Sequence, residues 1–385
     1  MGVRHNIMVT VIDADSHLSS SYFTSITDMH YAHPETSATT LYAAPIIFDR
    51  NAHNVPAIVR VADIMWCAAG MSGLYQGSTI APPTSVYSLP LTLVDRVGGW
   101  DCDAEAIGED LHMYIKCFFA LNGNLTSRTV LSPVSQSNVV GGGSGGIHAT
   151  VADIKARYKQ ALRHMWGALD TGFAMRQAVE MWKERQCTTR TFRPLHNQGA
   201  HASLYSPDID FRSGEEVSCE NDFFSDLTQG SLREPHWEKI FYLFHRLFEA
   251  HFLPVHMTIL VFASSLYVLF AEGNGDPHNI AWTFSASSTL RIMGFLGVAS
   301  YLFLYESFHR IGVAAREREM TKANLAGGMC FSHRRIKRNY IDYVLVPIVA
   351  PLYGAIPCAQ AEISHLWTVN LAYSVSRKAA RQTAI

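Results

Sequence analysis

The chain contains no Cys-x-x-Cys pair, no glycine loop followed by Lys-Ser or Lys-Thr, and no excess of positive charge. Each absence removes a class of function. The seven cysteines, Cys67, Cys102, Cys117, Cys187, Cys219, Cys330 and Cys358, are scattered and odd in number, which argues against a disulfide framework or a structural zinc site and for reduced, buried thiols. The run Gly141-Gly-Gly-Ser-Gly-Gly146 is not a P-loop; it reads as a flexible loop or as a mobile flap. The 31 Lys plus Arg stand against 33 Asp plus Glu, a formal net charge of -2, so the overall balance gives no reason to expect a nucleic-acid partner. The first residues lack the long apolar core of a signal peptide, and position 6 is Asn where a myristoylation signal has Ser or Thr.

What is present begins with an apolar run at 7–12 that reads as a short buried strand and ends in Asp13-Ala14-Asp15. Two carboxylates two residues apart on an extended segment point the same way and repel unless a cation or donor lies between them. Mg²⁺ or Mn²⁺ carried in with substrate phosphates is a natural partner; an acidic turn is the other reading. His17, two residues on, either faces such a metal or packs.

Residues 60–74 have helical apolar spacing, closed by Gly70, Gly73 and Gly77. Residues 84–94 read as a bend entering a short helix. Gly98-Gly99-Trp100 is a tight turn carrying an indole, suited to a packed corner or to covering the apolar face of a sugar. Glu109 and Asp110 precede an apolar-periodic helix at 111–121, where Asp110 is either a helix-terminal anion or a general base held ionised by the helix dipole. On the helix at 154–166, Gln160, Arg163 and Trp166 recur every three residues and share a face. Arg163 suits paired bonds to phosphate and Trp166 suits a sugar; alternatively Trp166 anchors the helix in the core and Arg163 forms a surface ion pair. Helix continues at 175–182.

Composition changes near residue 250. Residues 252–271 carry no Asp, Glu, Lys or Arg, and at about 1.5 Å per residue they span roughly 30 Å, the thickness of a hydrocarbon core. A second apolar segment, 281–305, is interrupted by Arg291, which inside a membrane needs a partner; a buried soluble helix is the other reading. A third, 343–361, contains Pro347, Pro351 and Pro357 and is expected to kink or span only in part. The aromatic, amphipathic stretch 237–250 suits an interfacial helix. A basic loop at 306–340 marks the cytosolic side, which places the preceding domain in the cytosol of a multi-pass integral membrane protein. The basic tail at 378–381 pulls weakly the other way, and plasma membrane, Golgi and endoplasmic reticulum are not distinguished.

Taken in order over roughly 7–375, these motifs resemble the membrane-integrated inverting family-2 glycosyltransferases, the cellulose, chitin and hyaluronan synthases and their fungal relatives. The resemblance implies an α/β fold: a partial glycosyltransferase type-A, Rossmann-like domain at 1–182, a connecting or interfacial region at 183–250, and an α-helical transmembrane region at 251–385. It implies transfer of a sugar from a nucleotide sugar, UDP-linked or otherwise, to a glycan or other acceptor hydroxyl with inversion. Under it Asp13 and Asp15 bind Mg²⁺ or Mn²⁺, Asp110 is the catalytic base, Gln160, Arg163 and Trp166 contact donor diphosphate and acceptor, and Gly99, Trp100 and Glu109 lie near the sugar. The sequence departs from the pattern in Gly108, where the family has Thr, and in the two residues between Arg163 and Trp166, which the family has adjacent. It also begins shortly before Asp13, where the family places a nucleotide-binding half. That implies a domain lacking this half, or a remnant serving as a non-catalytic membrane scaffold.

Overall fold

The computed structural model describes residues 6–75, 77–102, 106, 108–142, 146–184, 235–271 and 281–370. The connecting region at 185–234, the centre of the glycine run and the basic tail lie outside the described residues.

Among the described residues, six short strands form two sheets: β1 (Met8–Val11), β2 (Thr40–Ala43), β3 (Ile46–Phe48), β4 (Tyr87–Pro90), β5 (Thr126–Thr129) and β6 (Val134–Gln136). The larger sheet has the order β1-β4-β2-β5, with β4 antiparallel to both neighbours and β2 parallel to β5; β3 and β6 form a parallel pair. Strand alternation sorts the larger sheet's two faces. Leu41, Ala43, Tyr87 and Leu89 point into one core, and Tyr42 and Ala44 point into another.

The second face is covered by α1 (Ser20–Ala32) through Tyr22 and Ile26; Tyr22 OH lies 3.0 Å from Ser88 Oγ. Next in the chain come α2 (Ala57–Met71), α3 (Leu91–Arg96), α4 (Glu109–Ala120), α5 (Gly146–Met165), α6 (Ala168–Glu184) and α7 (Trp237–His251). The first face receives α3, α4, α6 and α7, so the sheet lies between helical layers. From α7, Ile240, Leu243 and Leu247 enter this core, each buried side chain contributing about 1.5–3 kcal/mol, while Phe241, Tyr242 and Phe248 remain exposed. Helix α2 lies at a junction: Ile64 and Cys67 pack with β3, and Val61 and Ala62 pack with Ala161 of α5.

The terminal half holds α8 (Leu253–Ala271), α9 (Ala281–Lys322), α10 (Tyr340–Val344), α11 (Val346–Ala350), a π-helical turn (Pro351–Ala355) and α12 (Ile356–Ser364). Among the described residues, two helical stretches are long and apolar enough to cross a bilayer, Trp282–Lys322 and Val346–Ser364. The stretch expected from sequence to be the clearest span, 252–271, is helical as Leu253–Ala271, and its described part, Leu253–Tyr267, forms with Trp237–His251 a pair bent by 60° that is apolar enough to cross as a broken span. The prolines expected to break the last segment coincide with its division into α11, the π turn and α12. Arg291 finds its partner on its own helix, donating to Ser288 Oγ at 3.1 Å.

Helix α9 departs most from expectation. Its 42 residues continue to Lys322, so Arg310, Arg316 and Arg318 lie on a helix where the sequence suggested a loop. At about 1.5 Å per residue it is roughly twice as long as a hydrocarbon core is thick. Its first half exposes Trp282, Leu290, Ile292, Met293 and Phe295, as a lipid-facing surface does. Its second half packs on the α/β domain: Tyr305, His309 and Val313 are fully buried, and a Cβ on Gly312 would lie 2.3 Å from Ile47 Cδ1.

Candidate active site

The Asp-x-Asp segment follows β1. This strand is a half-buried sheet edge with Ile7 and Ile12 exposed, rather than the buried strand expected from an unbroken apolar run. The chain turns at Asp13, whose carbonyl accepts from the Ser16 N–H at 2.9 Å. Asp13 is exposed and Asp15 half-buried. Asp15 Oδ2 accepts the Ser137 N–H at 3.0 Å, and Asp13 Oδ2 lies 3.3 Å from the amide nitrogen of Gln136. That amide also reaches Ser16 Oγ at 2.9 Å and Ser85 Oγ at 2.7 Å. The end of β6 therefore fixes the acidic turn. The Arg50 guanidinium donates to the Asp15 carbonyl, which brings a cation beside the two carboxylates. His17 exchanges backbone hydrogen bonds with Ser135, and its Nε2 faces Glu319 at 3.5 Å, which fits the packing role rather than the metal-facing one.

Asp110 occupies the first turn of α4, with Gly108 at the N-cap. Its Oδ1 accepts the Leu111 N–H at 2.9 Å. Sequence reasoning expected the helix terminus to keep this half-buried carboxylate ionised; burial and the neighbouring acids work the other way. Burial, followed by the charge of Glu109, pushes the Asp110 carboxyl up to about 7, with Asp170 and Asp13 adding to the rise. The contribution of Asp13 puts the Asp-x-Asp turn and Asp110 in one electrostatic neighbourhood. Trp100 joins them: its Nε1 donates to Tyr87 OH at 2.7 Å, and the Tyr87 hydroxyl, raised chiefly by burial, also responds to the charges of Asp110 and Glu109. Gly98 and Gly99 adopt φ of 76° and 80°, a conformation that glycine takes without the penalty of a side chain.

Behind Asp110 lies a set of charges that sequence reading missed. His112 Nδ1 is 2.7 Å from Asp170 Oδ1, and its Nε2 is 3.2 Å from Asp101 Oδ2. Lys116 Nζ reaches Asp101 Oδ1 and the Gly99 carbonyl, both at 2.9 Å. The signal available was a His and a Lys spaced i, i+4 within a helix whose other residues from 113 to 119 are apolar.

Gln160 on α5 is buried, Arg163 on the same helix is half-buried, and Trp166 is buried. Trp166 lies just past the helix end, edge-on to His365 with ring centroids 4.5 Å apart. A buried polar chain links this helix to the acidic turn. Arg157 Nε lies 2.7 Å from Asp63 Oδ1; Asn138 Nδ2 donates to Asp63 Oδ2 at 2.5 Å; and the Asn138 N–H donates to Asn51 Oδ1 at 2.6 Å. Asn138 follows Ser137, the residue that holds Asp15. The charges of Asp13 and Glu109 thus act on Asp110, Asp15 is held at the same turn as Asp13, and Trp100 bonds to Tyr87, which feels Asp110 and Glu109. The residue that ties α5 to this turn is Arg157, and Trp166 packs on His365 instead.

Residues 8–301 match the family described as Glycosyl transferase family group 2. The chain belongs to this family. No curated protein and no solved structure matches. Membership corrects the expectation of a domain deprived of its nucleotide-binding half, or of a remnant: the glycosyl transferase match begins ahead of Asp13 and takes in all six strands and α1 to α8. The physical reason lies in the topology. The central strands β2 and β4 and their neighbour β5 all come after Asp13, so the sheet described is built within the matched segment itself. What stands is an α/β glycosyl transferase domain followed by two apolar helical stretches. Among its described residues, no group of three or more His, Cys, Asp or Glu side chains could hold a metal ion.

Proposed function

We propose that this glycosyl transferase moves a sugar from a nucleotide-sugar donor to the hydroxyl of a glycan or similar acceptor, with inversion and with Asp110 as general base. The observation that carries the reading is the place of Asp110, half-buried in the first turn of α4 beside Glu109 and within the field of Asp13, with its carboxyl raised to about 7 chiefly by burial. A base whose pKa lies near neutral pH combines a useful ionised fraction with real proton affinity. Asp110 takes the proton of the acceptor hydroxyl as that oxygen attacks the anomeric carbon from the face opposite the departing diphosphate. Arg50 lies beside the acidic turn and Arg163 lies on α5, and both suit the charge that develops on the leaving group. Trp100, hydrogen-bonded at one edge and partly exposed, offers an apolar surface to a sugar.

Two carboxylates fit a Mg²⁺ or Mn²⁺ ion that arrives with its substrate, since such ions are held by one or two carboxylates plus substrate phosphates rather than by an all-protein cage. Asp13 and Asp15 would hold it, and when bound it supplies positive charge at the diphosphate. The apolar helical stretches suit a reaction carried out beside a bilayer, and the basic segment before α10 favours a transferase domain on the cytosolic side.

The test is binding of UDP to the purified full-length chain with and without Mn²⁺. Wild type binds more tightly with the ion, and Asp15→Asn loses that gain. UDP affinity that ignores both the ion and the substitution would remove the metal assignment.

A further inference from the structure

The groups behind Asp110 assign a role to His112. We propose that His112 is a positioning residue that ties the Gly98–Asp101 turn, and with it Trp100, to the helix carrying the base, thereby setting where the acceptor sugar lies relative to Asp110. This rests on the reading of Asp110 as the base.

His112 follows Asp110 by two residues, about 200° around the helix, so it faces away from the side that would meet substrate. It is buried, with its ring packed against Phe173 at a centroid distance of 4.5 Å. Both ring nitrogens face carboxylate oxygens, and a nitrogen so placed is satisfied only by donating. The two carboxylates belong to different parts of the fold. Asp170, fully buried on α6, lies beside the start of α4: a Cβ on Gly108 would be 3.3 Å from its Oδ2. Asp101 ends the glycine turn. Its other oxygen takes Lys116, one helical turn beyond His112, and Lys116 in turn holds the Gly99 carbonyl. The turn therefore meets one face of α4 at His112 and Lys116. Two consecutive glycines at positive φ give it no side chains of their own to fix it. The indole of Trp100 sits between those anchors, so the plane it offers a sugar is set by residues that never touch the sugar.

Two conservative variants separate the two bonds. Asparagine at 112 keeps a donor at the place of Nδ1, toward Asp170, and loses the reach to Asp101. Glutamine keeps a donor at the place of Nε2, toward Asp101. The full-length protein in detergent is examined first by amide hydrogen exchange. His112→Asn should speed exchange across residues 98–102 by about tenfold, the expected scale for loss of one charge-assisted hydrogen bond, while His112→Gln stays near wild type. Transfer from UDP-glucose and UDP-N-acetylglucosamine to cellobiose and chitobiose then gives the kinetic split. His112→Asn raises the acceptor KM by about tenfold with kcat at saturating acceptor nearly unchanged, and His112→Gln restores KM. Equal exchange in the two variants overturns the proposal whatever their turnover, as does an unchanged acceptor KM in His112→Asn. Failure of the base assignment shows separately, as full transfer by Asp110→Asn, and leaves the exchange result standing.

Discussion

Arg316 Nε lies 2.9 Å from Asp49 Oδ2, and both side chains are buried where the second half of α9 meets the end of β3. The guanidinium also covers the Phe331 ring, 4.8 Å from its centroid. Burial raises the Asp49 carboxyl and Arg316 opposes that rise, as expected of an ion pair formed away from water. The pair joins a helix that begins as an apolar span to the α/β domain. Removing one partner strands the other, so Arg316→Met should destabilise the chain by about 3–5 kcal/mol, and the double variant Arg316→Met, Asp49→Leu should recover much of that loss. Urea unfolding in detergent micelles measures both. Equal stability of the single variant and wild type would mean that the pair does not clamp α9.

Gly312 tests the same contact through packing. A methyl group there would overlap Ile47 Cδ1, at 2.3 Å, and approach Pro133 Cβ at 3.3 Å. Gly312→Ala would gain in helix propensity on an exposed face, yet here it should cost about 1–3 kcal/mol through overpacking. Gly297, on the same helix with nothing within 4 Å of its added Cβ, is the control: Gly297→Ala should be neutral or stabilising.

Asp110 makes stability depend on pH. Its carboxyl is raised from 3.8 to about 7 in the folded chain, so between those values the folded state binds more protons than the unfolded state. The stability contributed by this group is present below about 4 and is lost as pH rises toward about 7. Asp110→Asn has no such titration. Relative to wild type, the variant should gain stability between pH 5 and pH 8, measured by urea unfolding at each pH. An unchanged difference would show that Asp110 titrates alike in both states.

Much of this was legible in the sequence. Helical spacing located α7 closely and α2 nearly so, but began α5 at 154 rather than 146 and α6 at 175 rather than 168; the prolines located the broken last segment. The strands were harder. Tyr87-Ser88-Leu89-Pro90 forms the central strand β4, but it has four residues, ends in proline, and is buried throughout, so no alternation of polarity reveals it. For the same reasons of length and complete burial, β2 and β3 gave no signal, separated as they are by Pro45. The continuation of α9 was hidden because Arg316 and Glu319 look like solvated charges. Their partners, Asp49 and Ser20, stand 267 and 299 residues away. At the site, residue types and order singled out Asp13, Asp15 and Asp110 as candidates, but protonation depends on burial, and burial is a property of the fold. Asp63, Arg157 and Asp170 escaped notice because a buried ion pair looks in sequence like any other charged residue.

The central claim is that the carboxylate at 110 removes the acceptor's proton. Its most direct test is the rate of hexose transfer from a UDP-hexose by full-length protein in membranes, measured from pH 5 to pH 9 for wild type and Asp110→Asn. The base must be ionised, so the wild-type rate should rise with pH, bend near about 7 and then level, and the variant should lose about 10²–10⁴-fold in kcat. Transfer by Asp110→Asn at the wild-type rate, with the same pH profile, would contradict it.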